Sequence, residues 1–320
     1  MKRILFIPLS LMVAACSQQA VQYEASVTPY RDGKRCAISF TFDDGMLCHY
    51  TDIAPELEKR GFLGTFWIIG KNMDSNSPDY PWMTWDQVAD LAHRGHEMSN
   101  HTWNHPSLPN LSADEVRQEL EMCDAKLEEV TGHRPITMAY PYNAMSPEVV
   151  AICEEGRVGT RTYQTGQGQK ESHTTPDSMR VWLEGLLDAG EWGVTMTHGT
   201  TYGWDLWNDP QQLYNFFDEV KEQENKVWVG TFAQVAAYRA ERESAMIEVK
   251  GTRHSATIIV HNTLDKNLYT EPLTIEVRGT DWSKTSPKAQ QANLNIPVNN
   301  CGDYLLLNIM PESSPIIIEW

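Results

Sequence analysis

Asp43 and Asp44 stand side by side at the end of an apolar run, with Gly45 after them. In α/β barrels this strand edge collects catalytic groups, because the loops that leave it converge on one mouth. Taken alone, Asp-Asp-Gly reads equally well as a turn after a strand. His101 and His105 come next, in N-H-T-W-N-H. Their i, i+4 spacing puts two imidazoles on one side of a helical turn, a geometry suited to gripping one metal ion. His198 then closes another hydrophobic run, V-T-M-T-H. Three separate strand ends therefore aim Asp43, Asp44, His101, His105 and His198 at a common mouth, and coincidence at all three is far less expected than at any one.

Short β runs and amphipathic helical stretches must alternate to position these groups. The β runs read as 37–42, 64–69, 97–99, 136–139, 159–162, 194–197 and 227–229, with helices expected at 53–60, 85–94, 113–130, 147–155, 210–223 and 232–242. The helix from Ala113 carries the clearest start, Ser112 as N-cap with Glu115 as capping-box partner, and Gly132 stands where a C-terminal glycine cap belongs. After Glu243 the pattern changes to alternating β-branched segments joined by turn residues, which reads as a small antiparallel sandwich. The fold class is therefore α/β, a layered or barrel unit over 35–243 followed by an all-β unit over 244–320.

Lys2 and Arg3, the apolar run Ile4–Ala15 and the tetrad Val13-Ala14-Ala15-Cys16 have the layout of a secretory signal. The tetrad resembles the bacterial lipobox, which implies cleavage after residue 15, a lipid on Cys16, residues 16–34 as a polar tether, and an exported lipoprotein held at the cell envelope. Removing Cys16 from the six cysteines leaves an odd number and no C-x-x-C pair, so neither a disulfide framework nor a cysteine zinc site is expected. A formal charge of -17 excludes the basic surface on which nucleic-acid binding depends. Eleven Trp and twelve Tyr fit either a large core or a groove that stacks on flat ligands such as sugars.

Thr41-Phe42-Asp43-Asp44-Gly45, His101-Thr102-Trp103-Asn104-His105 and Met196-Thr197-His198 together resemble the motifs of the polysaccharide deacetylases of carbohydrate esterase family 4, the NodB homology domain. The resemblance spans about 35–243 and implies a distorted seven-stranded (β/α) barrel. It implies further that Asp44, His101 and His105 bind one divalent metal, usually zinc, that Asp43 is the general base, and that His198 protonates the leaving amine. The backbone N–H of Tyr142 would help hold the oxyanion. The implied reaction removes N-acetyl groups from an acetylated glycan and releases acetate. The same family contains O-acetyl esterases, and a third alternative is an inactive glycan-binding lipoprotein.

Two family motifs are altered. The third, R-x-P-Y, is Ala139-Tyr140-Pro141-Tyr142 here, so the Arg that pairs with the base is missing; Arg161, at the end of the next strand, is the expected substitute, with a structural ion pair as the alternative. The fourth, D-x-x-D-W, is imitated only by Asp188-Ala189-Gly190-Glu191-Trp192, which reads as a turn. Glu97 and Asn100 flank the second motif and are expected to orient its imidazoles. Trp103, Tyr140, Tyr202 and Trp204 leave the expected mouth and are candidate sugar-stacking residues. His49, with the other unmatched histidines, is assigned to the surface or to structure.

Overall fold

The computed structural model describes residues 23–75, 77, 80–310 and 314–320. The expected signal segment and Cys16 lie outside them.

The first barrel strand is split. Cys36–Ser39 pairs in parallel with Val227–Val229 and Trp192–Met196, and after Phe40 the piece Thr41–Phe42 passes to the neighbouring strand Thr65–Ile68. From there the parallel order runs Thr65–Ile68, Glu97–Asn100, Thr137–Ala139, Gly159–Arg161. A bridge between Phe42 and Thr197 joins the two sheets into one curled, distorted barrel. Cys36–Ser39, Thr65–Ile68 and Trp192–Met196 are buried at every position, as strands covered on both faces must be.

Most helices lie within two or three residues of their expected places. The capping box of Ser112 with Glu115 is formed, and Gly132 closes that helix at φ 78°. One helix, Pro176–Ala189, was not anticipated. Its signals were present: Thr175 caps it, proline occupies the first turn, and Gly190 ends it in the left-handed conformation. The segment Asp188–Trp192 is therefore a helix end followed by a strand start, in agreement with its reading as a turn.

The C-terminal unit is built from two antiparallel sheets. One sheet pairs Met246–Gly251, Ser255–His261, Ile316–Glu319, Lys288–Gln291 and Leu294–Ile296. In the other, Leu273–Arg278 lies between Leu305–Ile309 and a strand from the far end of the chain, Glu24–Val27. Residues 23–34 are thus folded structure and not part of a tether. Period-two alternation over Glu24–Val27 places Ala25 and Val27 inward, and Tyr23 packs its ring against Trp282 and Trp320. The Thr28 hydroxyl meets the Tyr238 hydroxyl on the last barrel helix at 3.0 Å, and Arg31 pairs with Glu271 at 2.7 Å, so this segment ties the β unit to the barrel. Trp282, fully buried, belongs to the core of the β unit.

Candidate active site

Asp43 leaves Thr41–Phe42 with its backbone N–H on the carbonyl of Thr197, and the chain then turns through two positive φ angles, 83° at Asp44 and 79° at Gly45. A left-handed conformation at a non-glycine residue is costly and collects at functional sites. Here it carries the two adjacent carboxylates to different partners.

Asp43 is buried and held in a fork. Its two oxygens accept from the two terminal guanidinium nitrogens of Arg161, each at 2.5 Å, and one of those nitrogens also donates to the Thr41 hydroxyl at 3.0 Å. Arg161, at the end of Gly159–Arg161, thus brings a cation from the neighbouring strand to the carboxylate that Ala139 cannot reach. Burial alone would raise the Asp43 carboxyl. The Arg161 charge and its hydrogen bonds outweigh burial and hold the group well below the usual carboxylate range.

Asp44 faces the imidazoles. Its Oδ1 lies 3.6 Å from His101 Nε2 and 3.8 Å from His105 Nε2, and the two Nε2 atoms are 3.3 Å apart. These three ligand atoms fall within 4.8 Å of one another. The donor set fits a cation on independent grounds. Asp44 Oδ1 is buried without a hydrogen-bond partner among the described residues, and His101 Nδ1 donates to the Ala139 carbonyl at 2.8 Å, which leaves Nε2 bare. Two neutral nitrogens and one carboxylate oxygen, with room for water, are what a catalytic divalent metal requires. Burial pushes His101 down to about 3 and His105 below the ordinary histidine range, so both rings are neutral and free to donate a lone pair. It pushes Asp44 up to about 6, with the Asp43 charge acting in the same direction.

The loop between the imidazoles is not the expected helical turn. Thr102 and His105 both take positive φ, 66° and 58°. The loop is pinned by Asn100 Oδ1 accepting from the Thr102 backbone N–H at 2.7 Å and by Thr102 Oγ1 accepting from that of His105 at 3.0 Å. Asn100 therefore shapes the backbone that carries the imidazoles and touches neither ring; its amide donates to Leu120 and Asp124. Glu97 does not serve the site either. It begins the strand that ends next to His101, so it lies at the opposite end of the barrel, where it accepts from Thr65, Thr137 and the Ala233 backbone N–H.

His198, just past Trp192–Met196, completes a cavity of about 410 Å³ shared with Asp43, Asp44, His101 and His105. Tyr140, Tyr142, Asn143, Met196 and Trp204 line the remainder. Tyr142 is 69% exposed with its ring centroid 4.6 Å from that of His105, and Trp204 is 48% exposed and 4.8 Å from His198. Tyr140 reaches the wall while its hydroxyl stays buried on Thr160. Trp103 and Tyr202 are not in the cavity. The Trp103 indole lies against Gly70 so closely that a Cβ there would sit 2.3 Å from it, and the Tyr202 hydroxyl is taken by the Cys48 backbone N–H and the Pro81 carbonyl. Asn143 and Met196 went unrecognised as lining residues, although Met196 is the apolar position two before His198.

A curled parallel barrel thus gathers two carboxylates and three imidazoles at its strand ends around one cavity. Residues 30–158 match the family described as polysaccharide deacetylase. A chitin deacetylase of Arthroderma benhamiae is 28% identical over 168 residues, 50% of this chain and 42% of its own length. A peptidoglycan-N-acetylglucosamine deacetylase of Bacillus cereus is 28% identical over 109 residues, 34% of this chain and 37% of its own length. The chain thus spans less than half the length of these curated relatives. A solved structure from Mycobacterium smegmatis, designated a polysaccharide deacetylase, shares the fold at 21% identity with a TM-score of 0.52, covering 68% of this chain and 94% of its own.

Proposed function

We propose that the protein is a metal-dependent hydrolase that removes N-acetyl groups from an acetylated glycan and releases acetate. The observation that carries this reading is the division of labour between adjacent carboxylates: Asp43 forked by Arg161, Asp44 facing His101 and His105, in one cavity with His198. A divalent cation held by Asp44, His101 and His105, with zinc the best match to the donors, would polarise the acetyl carbonyl and acidify water. Asp43, kept ionised by Arg161, accepts the proton of the attacking water. The backbone N–H of Tyr142 is the candidate donor to the oxyanion. As the carbon–nitrogen bond breaks, His198 delivers a proton to the departing amine, leaving acetate and a free amino sugar. Tyr142 and Trp204, exposed on two sides of the cavity, offer flat faces to the sugar ring.

One observation favours the ester alternative. His198 Nδ1 is buried without a hydrogen-bond partner among the described residues, so no carboxylate orients this acid, and an alcohol leaves with less help than an amine. Acetate release across N-acetyl and O-acetyl glycans, with zinc and with a chelator, separates the two. Release from an N-acetylated oligomer that stops on chelation is expected; release from O-acetyl substrates alone would replace the amidase by an esterase, and no release from either would remove the enzyme.

The ligand set also carries a pH signature. Below its value of about 6 the Asp44 carboxyl holds a proton that a metal must displace, whereas both imidazoles are already neutral. Metal affinity, measured by competition with a chromophoric chelator, is expected to weaken by about tenfold per pH unit below that point. A flat profile between pH 5 and 6 would take Asp44 out of the ligand set.

A further inference from the structure

The proposed acid, His198, is held from behind. Its Nδ1 has no partner among the described residues and its ring meets Trp204 in a T-shaped arrangement, while the backbone around it is strapped to one short segment, the π-helical turn His49–Ile53 and the residue before it. His49 Nε2 lies 2.6 Å from the His198 carbonyl, the Thr200 hydroxyl donates to Asp52 Oδ2 at 2.9 Å, and the Cys48 backbone N–H donates to the Tyr202 hydroxyl at 2.8 Å. Between these straps the loop doubles back so tightly at Gly199 that a Cβ would fall 1.7 Å from the Tyr202 carbonyl oxygen. π turns of this kind recur at functional sites because they push one residue out of helical register.

We infer that His49 is a positioning residue for His198, fixing the backbone of the proposed acid, whose Nδ1 has no carboxylate partner among the described residues. The donor is assigned by chemistry: a carbonyl only accepts, so the proton sits on Nε2. His49 is completely buried, its ring 5.8 Å from Phe42 and 5.5 Å from Phe66, and burial holds it down to about 4, so it remains the neutral single donor this bond needs. The packing fixes the ring, the ring fixes the carbonyl, and the carbonyl fixes where the His198 side chain begins. His49 touches no substrate atom in this arrangement.

This inference rests on the proposed hydrolase, and the test separates the two. Wild type, His49→Phe and His49→Gln are loaded with zinc, matched for metal content, and assayed on an N-acetylglucosamine oligomer and on an aryl acetate, whose phenolate leaves without an acid. For His49→Phe, kcat on the amide is expected to fall about thirtyfold with KM within about twofold, while the aryl ester falls less than about fivefold, since only the amide depends on acid catalysis. His49→Gln, which keeps an N–H donor, should recover part of the amide rate. Equal losses on both substrates, as a merely structural role would give, or no loss on the amide, would overturn the assignment. The His198 imidazole signals in a 15N-labelled protein provide a second readout, expected to shift in His49→Phe and to return toward wild type in His49→Gln. If wild type hydrolyses no amide, the proposed function falls and the His198 signals alone decide: no shift in His49→Phe rejects the positioning role.

Discussion

Asp43→Asn is expected to lower kcat for deacetylation by about a thousandfold while zinc stoichiometry stays at the wild-type value, the scale of a removed general base. Asp43 and Asp44 share a turn, but Asp44 Oδ1 lies within 4 Å of both imidazoles whereas Asp43 Oδ2 reaches His101 alone, at 4.0 Å, so neutralising Asp43 should leave the metal donors in place. Acetate release and metal analysis on the same preparation check both halves. Loss of metal together with activity would show that Asp43 is a ligand and not the base. The asparagine also leaves the Arg161 guanidinium without its counter-charge, so a lower melting temperature should accompany the kinetic loss.

Arg161→Met is the second large effect, and it acts on stability and pH dependence as well as on rate. Breaking a buried ion pair by removing one partner costs about 3–5 kcal/mol, because the remaining charge is left desolvated. A fall in melting temperature on the order of 10 °C follows for a chain of this size. The sign of the pH dependence is fixed by the wild-type pair. A carboxyl depressed in the folded state contributes its full stability above the unfolded value of about 4 and loses it as pH falls further toward the folded value. In Arg161→Met the counter-charge is gone, burial dominates, and the Asp43 carboxyl should move upward. The acid limb of kcat/KM is then expected to shift toward neutrality, and the acid-dependent part of stability contributed by this pair should vanish. A pH–rate profile superimposable on wild type would show that Arg161 is only a structural partner.

The barrel could be read from sequence because its strands are short apolar runs ended by polar, chemistry-bearing residues, and the order of those ends is the order of the site. Arg161 was also reachable: once Ala139 stood where a cation was needed, the end of the adjacent strand was the nearest source. Conformation within loops was not. The spacing of His101 and His105 is the same in a helical turn and in a loop with two left-handed residues, and Thr102, β-branched, is a residue type that rarely takes positive φ. Glu97 misled for a different reason. Nearness in sequence to His101 suggested nearness in space, but a four-residue strand separates the two ends of a barrel. His49 gave no motif at all; its part depends on a π turn and on a carbonyl 149 positions away, and neither has a local signature.

The seating of Glu24–Val27 bears on how the chain is assembled. Its partner Leu273–Arg278 and the contact of Thr28 with Thr274, 246 positions apart, make this a strand that is synthesised well before its partner and cannot be paired until the β unit exists. Such a long closure is slow relative to local pairing. The barrel strands and helices are free to form in order as they emerge, while the segment that precedes them waits with an open edge. The first part of the described chain is thus a late-closing clasp, and its closure marks the point at which both folded units are present together.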